Sequence, residues 1–252
     1  MSKHLSVIIP AYNEEHRIKA TLEAVFNYLS RQNYSWEAIV VSDGSSDKTV
    51  EMTSEFISNK PEFSLIANTL NHGKGFVVRQ GMLQAQGDFR LFTDADNSTS
   101  IEQIEKFWPY FSAQGGFTSG GNGNYNIVIG SIEVPGAVIN EQAQWYRRFL
   151  GRYSKYLIRI VAGLWGVHDT QRGFKCFNAK SARDIFSRTK IDRFGFDIEV
   201  LALAKKMGYK IKELPVVWNN PANSKVSLKS YFEVLKDLFK IRWYLWTNKY
   251  KL

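Results

Sequence analysis

Short apolar runs that each stop at a polar cluster, with helically spaced stretches between them, restrict the fold of this chain more than any other feature of its sequence. The runs are Leu5–Ile9, Trp36–Val41, Phe63–Ala67 and Phe89–Phe92. Between the first two, Ile18, Leu22, Val25, Phe26 and Leu29 step by three and four, the spacing of a helix with one buried face. Asn13 or Glu14 stands at its start, and Asp47 is placed to cap a second helix reaching about Ile57. A third helix is expected from Asn71-His72-Gly73-Lys74-Gly75 to about Ala85, and a further one near Ile101 to Phe111. Strands alternating with helices predict right-handed β-α-β units and an α/β fold with a mostly parallel central sheet flanked by helices.

In such sheets ligands bind where the carboxyl ends of the strands open a crevice. The chemically distinctive residues sit at those ends: Pro10 to Glu14 after the first run, Asp43 after the second, Asp94 and Asp96 after the fourth. Strand alternation points Asp94 and Asp96 the same way, with only Ala95 between them. Two carboxylates so placed repel unless a cation joins them. Hard oxygen ligands suit Mg²⁺ or Mn²⁺, which keep several waters and complete their shell from a substrate phosphate. The plainer alternative makes Asp94 a turn cap, leaves Asp96 solvated and starts the next helix at Ser98 or Ser100. Two familiar phosphate signatures are missing. No Gly-x-Gly-x-x-Gly follows the first strand, and Gly73-Lys74-Gly75 lacks the spacing and hydroxyl of a P-loop. Lys74 either reaches a phosphate or is a solvated first-turn lysine. Five glycines between Gly115 and Asn124 mark a surface loop, and Tyr125–Ile129 reads as a fifth strand ending in Gly130-Ser131-Ile132.

A chain of 252 residues with 44% hydrophobic content is long enough for one sizeable domain, expected over 1–220, with a C-terminal amphipathic helix over 221–252 packed on it or on a membrane surface. Its 33 Lys and Arg against 24 Asp and Glu predict anionic partners. No apolar run approaches the roughly 18 to 20 residues needed to cross a bilayer, and Met1-Ser-Lys-His-Leu lacks a signal-peptide core, so a cytoplasmic location is expected. The single cysteine, Cys176, excludes an internal disulfide and reads as a buried small hydrophobe between aromatics.

The positive charge is concentrated in two places. Trp145 to Trp165 carries Arg147, Arg148, Arg152, Lys155 and Arg159 with no acid, and Trp145, Phe149, Tyr153, Tyr156, Ile160 and Leu164 form a parallel apolar stripe. From Pro221 onward, seven Lys and Arg face only Glu233 and Asp237. Leu228, Tyr231, Phe232, Leu235, Leu238 and Phe239 are expected to make the apolar face there, and Trp243, Tyr244, Trp246 and Tyr250 crowd the end. Aromatics flanked by lysines suit the headgroup level of a bilayer, so both helices are expected to lie on a membrane; packing on the domain with the basic faces wet is the alternative. No nucleic-acid-binding motif is present.

Taken in order, Val7-Ile8-Ile9-Pro10-Ala11-Tyr12-Asn13-Glu14, Ser42-Asp43-Gly44-Ser45, Gly73-Lys74-Gly75 and Thr93-Asp94-Ala95-Asp96 resemble the family 2 inverting glycosyltransferases of GT-A fold. Asp169-Thr170-Gln171-Arg172-Gly173-Phe174-Lys175, Phe196-Asp197-Ile198-Glu199 and Ser224-Lys225-Val226 look like the polyprenyl-phosphate branch, which includes dolichyl-phosphate β-glucosyltransferases and mannose synthases. The resemblance implies a hexosyltransferase that takes its sugar from UDP-glucose, with GDP-mannose as the other donor, and gives it to a polyprenyl phosphate on the cytoplasmic face of a membrane. Pro10, Ala11, Tyr12 and Glu14 would line the nucleotide pocket, with Asp43 on the base or ribose and Lys74 and Ala95 beside the donor. Asp94 and Asp96 would bind the Mg²⁺ or Mn²⁺ that bridges the diphosphate, making Asp96 catalytic. Ser131, Arg147, Arg148 and Lys225 would face the acceptor phosphate, and Asp169 would orient the acceptor or act as base, or hold its own turn. Asp197 and Glu199 are either a site edge or helix-start acids. Ser42 stands where many members have an acid, and Ile132 where many have an arginine for the acceptor phosphate. A peripheral protein is implied, firmly anchored only through an integral-membrane partner. The rival readings are transfer to a polysaccharide or glycolipid hydroxyl, and a noncatalytic nucleotide-sugar-binding membrane module.

Overall fold

The computed structural model describes residues 3–111, 123–140, 156–219 and 228–252, with the side chains of 228–231 left out. Its strands are β1 (Leu5–Ala11), β2 (Trp36–Asp43), β3 (Phe63–Asn68), β4 (Phe89–Thr93), β5 (Ile127–Ser131), β6 (Val138–Ile139), β7 (Phe174–Asn178), β8 (Ile211–Pro215) and β9 (Val217–Trp218). Its helices are α1 (Ile18–Leu29), α2 (Thr49–Ile57), α3 (Lys74–Gln84), α4 (residues 156–162), α5 (Ala179–Phe186), α6 (Phe196–Lys206) and α7 (Leu228–Trp246). Seven strands form one sheet in the order β3-β2-β1-β4-β7-β5-β8, and β6 pairs with β9 in a small second sheet. Every neighbouring pair in the large sheet is parallel except the two made by β7. The mostly parallel α/β architecture expected from the sequence is therefore present.

The sheet is buried on both faces, which is why its strands read as continuous apolar runs. Val7, Ile9 and Val40 pack with Leu22 and Val25 of α1, while Ile8, Ile39 and Val41 pack with Val77, Val78 and Met82 of α3. Three details depart from the sequence reading. Pro10 does not end β1: β4 pairs only with Leu5 to Ile8, so at Pro10 a strand without an N–H on that side loses nothing. The stretch after Ser100 forms two 3₁₀ turns, Ile101–Lys106 and Trp108–Tyr110, with Pro109 inside the second, in place of one helix. β7 was hidden because Lys175 and Asn178 make its sequence look polar, yet it is a central strand and Cys176 within it is fully buried.

The C-terminal helix turns differently from expectation. Among its described side chains Leu238 and Ile241 are the buried ones, whereas Phe232, Phe239, Trp243 and Trp246 point outward, the last 83% exposed; Leu228 and Tyr231 lie outside the described side chains. Tyr156 and Ile160 of α4 are exposed as well, and Leu164 is buried. Tyr250 does not join the outward aromatics; it is buried.

Candidate active site

The first two strand-end loops are stitched together by a short polar lattice. Asn13 adopts the left-handed conformation at φ 52°, which asparagine tolerates, and its Oδ1 accepts from Ser46 N at 2.8 Å. Asn13 N donates to Ser45 Oγ, Glu14 N to Thr49 Oγ1 at 2.7 Å and Glu15 N to Asp47 Oδ2, while Lys48 N donates back to Glu15. Asp47 also accepts from Thr49 N, but it stands one residue before Lys48, the N-cap of α2, and is not the cap expected from the sequence. Ser42 is fully buried and its hydroxyl donates to Ser45, so the position that often carries an acid is here part of the loop's own bonding. The Glu14 carboxylate pairs with Arg17 at 2.7 Å, Pro10 and Ala11 are buried at the strand end, and Tyr12 is 42% exposed above them.

Asp43 is nearly inaccessible. Its carboxylate accepts from His72 N at 2.7 Å, Gly73 N at 2.9 Å and Asn71 Nδ2 at 3.0 Å. Burial raises its pKa above the ordinary carboxyl range against the pull of those donors. Where the family resemblance puts it on the base or ribose, the observed contacts make it the residue that shapes the turn leading into Lys74.

That turn presents Lys74 to Asp94, Nζ to Oδ1 at 2.5 Å, with both side chains roughly a quarter exposed, 23% and 28%. Burial pulls the ammonium's pKa down, but the charges of Asp94, Asp197 and Asp96 outweigh it and hold the value above that of an ordinary lysine. Asp96 is raised, first by burial and then by the negative charge of Asp94. Its Oδ1 accepts from Ser98 N at 2.9 Å, so the side chain that closes the turn is Asp96, where the plainer reading makes Asp94 the cap and leaves Asp96 solvated. Ala95 is buried and its carbonyl accepts from Thr21 Oγ1 at 2.7 Å, anchoring the loop to α1. Gly173 closes the other side: a Cβ there would lie 2.2 Å from Asp94 Oδ2, and Asp94 N donates to Gly173 O. Only glycine lets the backbone come this near the carboxylate.

A second cluster lies next along the chain from Gly173. Asp169, nearly buried, accepts from Ile132 N at 3.1 Å and from Arg172 Nε at 3.4 Å. Its own N–H donates to Glu213, which also accepts from His168 N. The Arg172 guanidinium lies over the Trp218 ring, 4.6 Å from its centre. Ser131, expected on the acceptor phosphate, is instead fully buried with its hydroxyl accepting from Glu133 N. A serine at the end of a buried strand turns its own backbone before it can meet a ligand. Beneath both clusters, Lys175 Nζ meets Asp197 Oδ1 at 2.5 Å and also donates to Arg172 O. Glu199 is likewise buried, and both acids stand in the first turn of α6, the helix-start placing that the sequence allowed. Arg147, Arg148 and Lys225 fall outside the described residues. Sequence reasoning missed Lys175, Glu213 and the contact made by Gly173; an unpaired lysine inside an aromatic run was the one available signal for the first.

Among the described residues no three His, Cys, Asp or Glu side chains gather as a metal cage. Asp94 and Asp96 thus offer two hard carboxylates and room for ligands from elsewhere, a set that fits a divalent ion shared with a diphosphate. The profile of glycosyl transferase family 2 matches residues 6–186, a span that runs from β1 through Asp96 to the end of α5. The chain belongs to glycosyl transferase family 2. It is 36% identical over 247 residues to a dolichyl-phosphate beta-glucosyltransferase of Trichomonas vaginalis, covering 95% of this chain and 73% of that one. Proteins of the same name from Saccharomyces cerevisiae and Homo sapiens are 32% and 29% identical, covering 94% and 100% of this chain and 74% and 78% of theirs. In three dimensions the chain is similar to glucosyl-3-phosphoglycerate synthase from Mycobacterium tuberculosis, crystallised with Mn²⁺ and UDP. That likeness has a TM-score of 0.65 at 16% identity, covers 95% of this chain and 80% of the other, and concerns the fold. Family 2 membership makes the cluster at the end of β4 the place to look for the transfer chemistry.

Proposed function

We propose that this family 2 glycosyltransferase moves glucose from UDP-glucose to dolichyl phosphate with inversion at the anomeric carbon. The observation that carries the site assignment is Asp94, held between Lys74 and Gly173 at the end of β4, with Asp96 two residues further on in the same turn. The similarity to dolichyl-phosphate beta-glucosyltransferases over 94–100% of this chain supports the acceptor and the sugar. Asp94 and Asp96 would hold Mg²⁺ or Mn²⁺, which supplies neutralisation of the charge that grows on the departing diphosphate. Lys74, already beside Asp94, adds a second cation on the same side and leaves its carboxylate partner as the donor arrives. Tyr12 covers the strand ends where the nucleotide would lie, and the Asn13–Ser46 lattice fixes that edge. Ala95, locked through its carbonyl to Thr21, keeps the two carboxylates in register.

A phosphate acceptor is mostly ionised near neutral pH, since its second pKa is about 6, so it needs little help from a base. Asp169 therefore serves by orientation: it holds Ile132 N and Arg172, whose guanidinium over the Trp218 ring would face an acceptor phosphate. Among the described residues no helix is long and apolar enough to cross a membrane. The outward Phe239, Trp243 and Trp246, with Lys240 and Arg242 between them, support docking on the cytoplasmic leaflet, where an integral-membrane partner would add anchoring.

The test is transfer of radiolabel from UDP-glucose, with GDP-mannose in parallel, to a short dolichyl phosphate with Mn²⁺ or Mg²⁺. Butanol-extractable label from UDP-glucose alone, alkali-stable as a β-linked phosphodiester and absent in Asp96→Ala, is the expected result. Label from GDP-mannose would reassign the donor. Metal-dependent hydrolysis without a lipid product would reassign the acceptor.

A further inference from the structure

The loop of residues 190–195 is wedged between the C-terminal segment and the start of α3, and the contacts on its two sides form one chain. On the C-terminal side, Tyr250 donates its hydroxyl to Glu199 Oε1 at 2.7 Å, both groups being buried. The same carboxylate accepts from Lys190 N at 2.9 Å and Ile191 N at 3.0 Å. Asp237 of α7 accepts from Gly195 N and packs so tightly that a Cβ on Gly195 would lie 2.5 Å from the Asp237 Cβ. On the other side, Asp192 O accepts from Phe76 N at 3.0 Å, and the Asp192 carboxylate pairs with Arg79 at 2.6 Å. Backbone meets backbone at both flanking glycines: a Cβ on Gly73 or on Gly75 would stand 2.4 Å from Asp192 O or Ile191 O respectively. Lys74 lies between those glycines.

We propose that Tyr250 and Glu199 are positioning residues: the segment after α7 clamps the 190–195 loop, and the loop in turn seats Lys74 against Asp94. The burial of Tyr250 then has a function distinct from the outward aromatics of the same segment. A helix whose far face suits a lipid surface is joined, four residues after its end, to the carboxylate that holds the 190–195 loop. The clamp stands on the contacts alone; its effect on donor binding rests on the site reading given above.

The experiment compares full-length wild type, Tyr250→Phe and, as a control at a partly buried tyrosine hydroxyl, Tyr209→Phe, which loses a bond to Asp184 of α5. Hydrogen exchange is followed by mass spectrometry, and Mn²⁺ affinity in the presence of UDP by electron paramagnetic resonance, both well below the melting temperature. In Tyr250→Phe, exchange of the amides of residues 73–77 and 190–192 is expected to accelerate about tenfold, matching loss of one hydrogen bond to a buried charge. Mn²⁺–UDP affinity should fall about three- to tenfold and the KM for the donor rise with it, while kcat changes little. Tyr209→Phe should do neither. Unchanged exchange at 73–77 in Tyr250→Phe overturns the clamp, as does equal acceleration in Tyr209→Phe. If exchange accelerates but the wild type shows no UDP-dependent Mn²⁺ binding, the clamp stands and the donor-site reading fails.

Discussion

Two lysine–aspartate pairs of equal length lie within this site, and they differ in almost everything else. Lys74–Asp94 and Lys175–Asp197 both close to 2.5 Å. The first opens to solvent at the strand ends, while the second has 0% and 5% of its side chains exposed. An open pair can exchange partners: water, a metal ion or a diphosphate replaces either member at small cost. A sealed pair cannot, because each charge left alone would be stranded in a low dielectric. Lys175 also donates to Arg172 O and faces the Phe92 ring, which leaves its ammonium no route to a ligand. The same chemical pair thus works as a replaceable placeholder in one location and as a strut in the other. Burial of Asp197 raises its carboxyl pKa against the opposing pull of Lys175 and Lys74.

This contrast predicts separable losses. Asp96→Asn keeps the acceptor atom for Ser98 N and should leave the fold intact, yet transfer should fall about a thousandfold, the equivalent of roughly 4 kcal/mol of charge stabilisation. Steady-state rates at saturating metal check it. Lys175→Met strands the Asp197 charge and should cost about 3–5 kcal/mol in urea unfolding, with Lys175→Met combined with Asp197→Leu recovering much of the loss. A single variant no less stable than wild type would remove the distinction between the pairs. Lys74→Met should do the reverse: under about 1 kcal/mol of stability, since solvent screens that pair, but about a tenfold rise in donor KM.

The pH dependence follows from the buried acids. Asp43, Asp197, Glu199 and Asp237 all sit above their ordinary pKa values, each chiefly because of burial. The folded chain therefore keeps protons that the unfolded chain has already released. Metal-free stability should fall as pH rises from about 4 toward the raised values, and Asp197→Asn should flatten that decline in urea titrations. The smallest effect is expected at Thr21→Val, which unties α1 from the Ala95 carbonyl and should cost about 1 kcal/mol.

Much of the first half was legible in the sequence because its strands are parallel and buried, so each apolar run and each polar end has one natural interpretation. Asp94, Asp96 and Lys74 were found that way, and the structure brings them together. The second half resisted for physical reasons. β7 is a central strand with a lysine in it, stabilised by an aspartate 22 residues away on α6, a pairing that no local pattern announces. The helical period of α7 was clear, but its buried face was not, since Leu238 and Phe239 are equally apolar and only the tertiary packing chooses between them. Ser131 looked free in sequence and is bonded within its own turn.

Calorimetric titration of UDP-glucose into the wild-type protein, with and without Mn²⁺, tests the central claim most directly. Tight binding that requires the metal, is lost in Asp96→Asn and is weakened about tenfold in Lys74→Met is expected. Equal binding in the absence of metal, or metal-dependent binding that survives Asp96→Asn, would contradict the claim.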